Sequence, residues 1–103
     1  MGLFSFLGFG NISIKNALRK GAVVIDVRTG SEYDRGRVPG SINIPVDRIS
    51  VSVGRIKAIN RPVVLVCSSG SRSADALKIL KGRGVEAYNG GSWEHVVKLM
   101  SHL

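Results

Sequence analysis

Cysteine is nearly absent: the 103-residue chain has one, Cys67. A single thiol cannot close an intramolecular disulfide, so the fold must rest on an apolar core. A chain that keeps an unpaired thiol suits a reducing compartment, which points to the cytoplasm. No apolar run approaches the roughly 20 residues that a membrane-crossing helix needs. The two histidines, His95 and His102, have no second cysteine to join them, so no metal site is expected. Aromatic residues make up 6% of the chain, which offers no platform for stacking nucleic-acid bases. Negative charge is also scarce, with 7 Asp and Glu against 15 Lys and Arg for a formal net charge of +8. The cations are scattered from Lys15 to Lys98 without a dense run. They read as a general anion-attracting and solubilising field, with nucleic acid the disfavoured partner.

All three phenylalanines fall in the opening Met1-Gly-Leu-Phe-Ser-Phe-Leu-Gly-Phe-Gly10. This segment has no cationic start and no small-residue cleavage pattern, and Phe6 stands where a myristoylation motif wants Ser or Thr. Residues 1–12 are therefore read as an N-terminal arm or edge segment lying on the domain, in preference to a membrane contact. Residues 13–103 make one domain, and the 44% hydrophobic content can supply its core.

Within that domain, strands alternate with helices. Ser13 is placed to cap a short helix carrying Ile14, Ala17 and Leu18, which Gly21 ends. Ala22 to Val27 is an apolar run rich in Val and Ile, as in a strand buried on both faces, and Asp26 is its one acid. A turn or short helix over Ser31–Arg35 leads through Gly36, Pro39 and Gly40 to a short strand, Ser41-Ile-Asn43. Val46, Ile49, Val53 and Ile56 fall on one side of a helix. Pro62–Val66 is a second apolar strand, with proline at its first position where the missing N–H costs least. Ala76, Ile79 and Leu80 mark a helix ending near Gly82 or Gly84, Val85–Tyr88 a last strand broken by Gly90-Gly91, and Trp93, Val96, Val97 and Met100 a final helix. Trp93 reads as core packing. This alternation predicts an α/β fold with an open parallel sheet covered on both faces, whose ligands bind beyond the carboxyl ends of the strands.

Cys67-Ser-Ser-Gly-Ser-Arg-Ser73 lies at such an end, between strand and helix. Small residues there can curl so that backbone N–H groups converge on one point, which suits an anion. Cys67 would occupy that point. The helix N-terminus and the Arg72 guanidinium both favour thiolate over thiol, and a thiolate at neutral pH is a nucleophile. Ser68, Ser69, Ser71 and Ser73 add hydroxyl donors, and Gly70 can take positive φ. The alternative is a buried cysteine acting as a small hydrophobe at a strand end. A nucleotide phosphate loop is excluded, because the required Gly-Lys-Ser or Gly-Lys-Thr is missing.

Four segments in order, Asp26-Val-Arg28, Gly36-Arg-Val-Pro-Gly-Ser-Ile-Asn-Ile-Pro45, Val64-Leu-Val-Cys-Ser-Ser-Gly-Ser-Arg-Ser73 and Asn89-Gly-Gly-Ser-Trp93, resemble the successive signatures of rhodanese-like domains. The resemblance implies a five-stranded parallel sheet between helices on both faces. It also implies a sulfurtransferase in which Cys67 accepts sulfane sulfur from a donor such as thiosulfate and passes it on to a thiol, a protein or cyanide. No cofactor is implied beyond the transient cysteine persulfide. Arg72 would draw anionic donors, and Asp26 and Arg28 would brace the pocket without taking a catalytic step.

Two positions depart from the family pattern. Ser68 stands where thiosulfate-using members often have Arg or Lys, and Arg37 where many have His. A cysteine phosphatase also sets Cys and Arg around an anion, but its signature encloses five residues, whereas Cys67 and Arg72 enclose four. The other alternative is a catalytically weak module that carries sulfur or contacts a protein partner.

Overall fold

A computed structural model describes residues 10–103. Helix α1 (Gly10–Arg19) buries Ile14 and Ala17 on one side. It starts ahead of Ser13, which therefore sits inside the helix instead of capping it. Strand β1 (Val23–Asp26) is buried along its whole length. Helix α2 (Gly30–Arg35) is closed at its start by a reciprocal cap: Thr29 accepts from the Glu32 amide and the Glu32 side chain accepts from the Thr29 amide. After the short β2 (Ile42–Asn43), the predicted helix through Val46 and Ile56 proves to be two 3₁₀ turns, Val46–Arg48 and Ser50–Ser52, followed by α3 (Val53–Ile59). The Ser52 hydroxyl donates to the Arg48 carbonyl where the second turn ends. Ile49, Val53 and Ile56 nonetheless share one buried side. Strand β3 (Val63–Cys67), helix α4 (Ser71–Gly82), strand β4 (Ala87–Ser92) and helix α5 (Trp93–Met100) complete the chain.

The strands lie in the order β2-β1-β3-β4, all parallel. Alternation along them sorts the core into two layers. Val23, Ile25, Val63, Leu65 and Cys67 pack with Ile49, Val53 and Ile56 and with Ala76 and Leu80 of α4. Val24, Val64 and Val66 pack with Ile14 and Ala17 of α1 and with Val96 and Leu99 of α5. Each such aliphatic side chain contributes about 1.5–3 kcal/mol on burial, so the sheet is held from both faces.

The sheet has four strands among the described residues, not the five that the family resemblance implied. Sequence patterning marks four strand segments, and each becomes a strand; no further apolar run is left between Gly10 and the C-terminus to supply another. Residues 1–9 of the proposed N-terminal arm lie outside the described residues.

The Gly90-Gly91 pair, expected to break the last strand, instead lies inside β4. Pairing with β3 slips there, with Leu65 opposite Asn89 and Val66 opposite Gly91, so Gly90 is an extra residue in a bulge. A Cβ on Gly90 would fall 2.8 Å from Val64 Cγ1 and 2.9 Å from Val96 Cγ2, so glycine lets α5 close down on the sheet.

Candidate active site

Cys67 is the last residue of β3, and the chain turns over its sulfur before entering α4. Gly70, at φ +102°, takes the left-handed conformation that lets its N–H point back and donate to Cys67 Sγ at 2.9 Å. From the first turn of α4 the Ser73 hydroxyl reaches the same sulfur at 3.4 Å. The thiol is 1% exposed. Its neighbours on the loop side are polar, so it is not sealed under hydrocarbon alone. Burial pushes its pKa up, but hydrogen bonds from the Ser73 hydroxyl and from the amides of Ser73, Gly70 and Ser69 push it down, and the balance lies below the ordinary thiol value.

The serines divide by role. Only Ser73 is buried, and its hydroxyl also lies 2.7 Å from Asn89 Oδ1 and 3.1 Å from the Gly70 carbonyl. Ser69 and Ser71 are exposed, and Ser68 turns outward. Asn89, in β4, accepts from the Gly91 amide at 2.9 Å and donates to the Gly70 carbonyl at 3.1 Å, which ties the loop to the bulge beside it.

Arg72, expected from the sequence to draw anionic donors, is paired with an acid of α2. Its guanidinium donates twice to the Glu32 carboxylate, at 2.7 and 3.0 Å, and once to Ser68 Oγ at 2.9 Å. Ser68 in turn donates to Glu32 at 3.2 Å. The Arg72 hydrogen bonds, followed by the Thr29 amide, hold the Glu32 carboxyl far below the usual carboxylate range. The Arg72 pKa is raised, first by Glu32 and in part by the charge on Cys67, so the guanidinium still lies within the field of the sulfur.

Asp26 and Arg28 form a second pair at the end of the neighbouring strand. Asp26 is 0% and Arg28 4% exposed, and their closest approach is 2.6 Å. Arg28 also donates to the carbonyls of Gly36 at 2.6 Å and Glu32 at 3.3 Å, and lies 5.1 Å from the centre of the Trp93 ring. The pair thus fastens α2, which carries Glu32, to the sheet and to the start of α5. Trp93 is half-buried, packing on the α1/α5 layer while its ring faces this pair.

Glu32 and Asn89 are the members of the site that the sequence reading did not assign. Thr29-Gly-Ser-Glu32 is a readable capping signature that would have placed the Glu32 carboxyl at the start of a helix. Its partner Arg72, forty residues on, has no signature in spacing.

A cysteine on the amide-lined turn between a parallel strand and a helix, with the motifs around it in order, defines the class. The chain matches the family model of the Rhodanese-like domain over residues 12–96 and belongs to that family. It is 37% identical over 79 residues to a tRNA sulfurtransferase of Thermoplasma acidophilum, covering 76% of this chain and 15% of that protein. A sulfurtransferase of Allochromatium vinosum is 30% identical over 74 residues, covering 72% of this chain and 68% of that one. A rhodanese with anions from E. coli superimposes with a TM-score of 0.65 at 28% identity, covering 73% of this chain and 91% of that chain. The chain spans only 13–15% of the length of the tRNA sulfurtransferases it matches. Among the described residues no helix is long and apolar enough to cross a membrane.

Proposed function

We propose that this domain is a sulfurtransferase that moves sulfane sulfur through a persulfide on Cys67. The observation that carries the reading is the Gly70 amide donating to Cys67 Sγ at 2.9 Å in a loop that lowers the thiol pKa despite burial. The thiolate attacks the outer sulfur of a donor such as thiosulfate, and the donor's S–S bond breaks. Sulfite departs, leaving Cys67–S–S⁻. A second nucleophile, a thiol, a protein or cyanide, then takes the terminal sulfur, restoring the thiolate. The amides of Ser69, Gly70 and Ser73 stay fixed throughout and favour negative charge on sulfur without reorganising. Asp26 and Arg28 hold the frame and take no chemical step, and no metal or organic cofactor is called for. An unpaired thiol with a lowered pKa suits a reducing cytoplasm. The segment shared with the tRNA sulfurtransferases supports the handling of sulfur, not contact with tRNA.

Mass spectrometry of the intact protein after incubation with a sulfur donor tests this. The expected result is a gain of about 32 Da that cyanide removes and that Cys67→Ser abolishes. No gain with any sulfane donor, or a gain that survives Cys67→Ser, overturns the reading. A carrier or protein-interaction role is the second reading, favoured by the 1% exposure of the cysteine. Stoichiometric loading with turnover far slower than loading would select it.

A further inference from the structure

Building on the sulfur-transfer reading of Cys67, we infer that Glu32 is a specificity-determining residue that cancels the Arg72 charge beside the loop, setting the site against dianionic thiosulfate and toward persulfide donors, R–S–S⁻. The carboxylate and guanidinium are paired through two hydrogen bonds of 2.7 and 3.0 Å. The exposed Ser68, next in the chain to Cys67, bonds both partners through its hydroxyl. Where a basic side chain at position 68 could have offset Glu32, this chain has a neutral one. Asp26 and Arg28 likewise neutralise each other. The local charge is therefore one negative unit, the Cys67 thiolate, set against loop amides and a helix terminus worth about half a positive charge. The net charge of +8 is spread over the surface and draws every anion toward the molecule. Only the local balance distinguishes one anion from another, because solvent screens distant charges within about 10 Å.

Thiosulfate brings two negative charges to that point and a persulfide brings one. In either case the Cys67 thiolate displaces RS⁻ or sulfite from the donor's outer sulfur and keeps that sulfur as Cys67–S–S⁻, so charge and atoms balance. The cost of meeting Glu32 scales with the charge of the donor. Because Glu32 and Arg72 side chains are 30% and 33% exposed, water moderates the effect without abolishing it.

The test compares persulfide formation, followed by intact mass in single-turnover experiments, from thiosulfate and from benzenethiosulfonate, a sulfane donor with one negative charge. Glu32→Gln keeps an oxygen for the Thr29 amide and removes the charge. It is expected to raise the second-order rate about tenfold with thiosulfate and about threefold, the square root of that factor, with benzenethiosulfonate. The larger gain should shrink in about 0.5 M salt, where screening is short-ranged. Ser68→Lys adds a positive charge while leaving the helix cap intact. It should act in the same direction, which keeps the test decisive if Glu32→Gln folds poorly. Equal factors for the two donors, or a fall with both, overturn the role of Glu32 while leaving Cys67 as the sulfur carrier. No Cys67-dependent sulfur uptake by the wild type from thiosulfate, from benzenethiosulfonate or from glutathione persulfide sinks the sulfur-transfer reading and this inference with it.

Discussion

Replacing Ser73 with alanine removes one hydrogen-bond donor from the sulfur and little else. Asn89 Oδ1 keeps the Gly91 amide at 2.9 Å, and the Gly70 carbonyl keeps both Asn89 Nδ2 at 3.1 Å and the Ala74 amide at 3.0 Å. No buried partner is stranded. The hydroxyl has one proton and three acceptors: Cys67 Sγ at 3.4 Å, Asn89 Oδ1 at 2.7 Å and the Gly70 carbonyl at 3.1 Å. With the neutral thiol, its best geometry is toward Asn89. Ionisation of the thiol turns it to the sulfur. A hydrogen bond to a charged group is worth about 2 kcal/mol and the neutral one surrendered about 1 kcal/mol, so Ser73 favours the thiolate by about 1 kcal/mol net. Ser73→Ala should therefore slow thiolate-dependent alkylation by iodoacetamide about fivefold on the acid side of the titration, with an unchanged rate once the thiol is fully ionised at high pH. The assay is the pH profile of the alkylation rate, read by intact mass. A profile that coincides with the wild type in a folded variant would show that the amides alone hold the charge. A uniform drop at every pH would show that access to the sulfur had changed instead.

Asp26→Asn leaves the buried Arg28 guanidinium without its counter-charge and should cost about 3 kcal/mol, seen as a lower urea midpoint. Gly90→Ala drives a methyl group to within 2.8 Å of Val64 and 2.9 Å of Val96, and should destabilise the fold by about 1–3 kcal/mol, lowering the melting temperature by several degrees. The Glu32 carboxyl is depressed below its ordinary value of 4.5, so its stabilising contribution is complete above that pH and is lost as pH falls through the folded value. The gap in urea midpoint between wild type and Glu32→Gln should accordingly narrow on acidification from about pH 6 to pH 3; a gap that is constant or widens would refute the assignment.

What was legible in the sequence was what is local. Val23–Asp26 and Val63–Cys67 announce themselves as buried strands because a parallel sheet covered on both faces needs unbroken Val, Ile and Leu. The cysteine loop is visible because small polar residues fall between such a strand and a periodic helix. The stretch from Val46 to Ile56 misleads because spacings of three fit a 3₁₀ turn as well as an α-helix. Gly90-Gly91 reads as a strand break, yet the pair stays inside β4, where Gly90 serves as a close approach that depends on Val96 in the following helix. Ser13 looks like a cap only because Gly10–Ile12 carry no helical signal of their own. At the site, the position of Cys67 at a strand end and the positive φ of Gly70 were readable. The neutralisation of Arg72 was not, since it joins residues forty positions apart, and neither was the partnership of Ser73 with Asn89, which joins a helix to a strand sixteen positions on.

The near-complete cover over Cys67 has a chemical corollary. A readily ionised thiol in the open is ordinarily among the first groups that peroxide attacks, because oxidation follows both thiolate character and accessibility. Here those two properties oppose each other: hydrogen bonds to the sulfur favour the thiolate, while burial to 1% exposure hides it from reagents in bulk water. What shields this thiol from oxidants is therefore its burial, not a proton held on the sulfur.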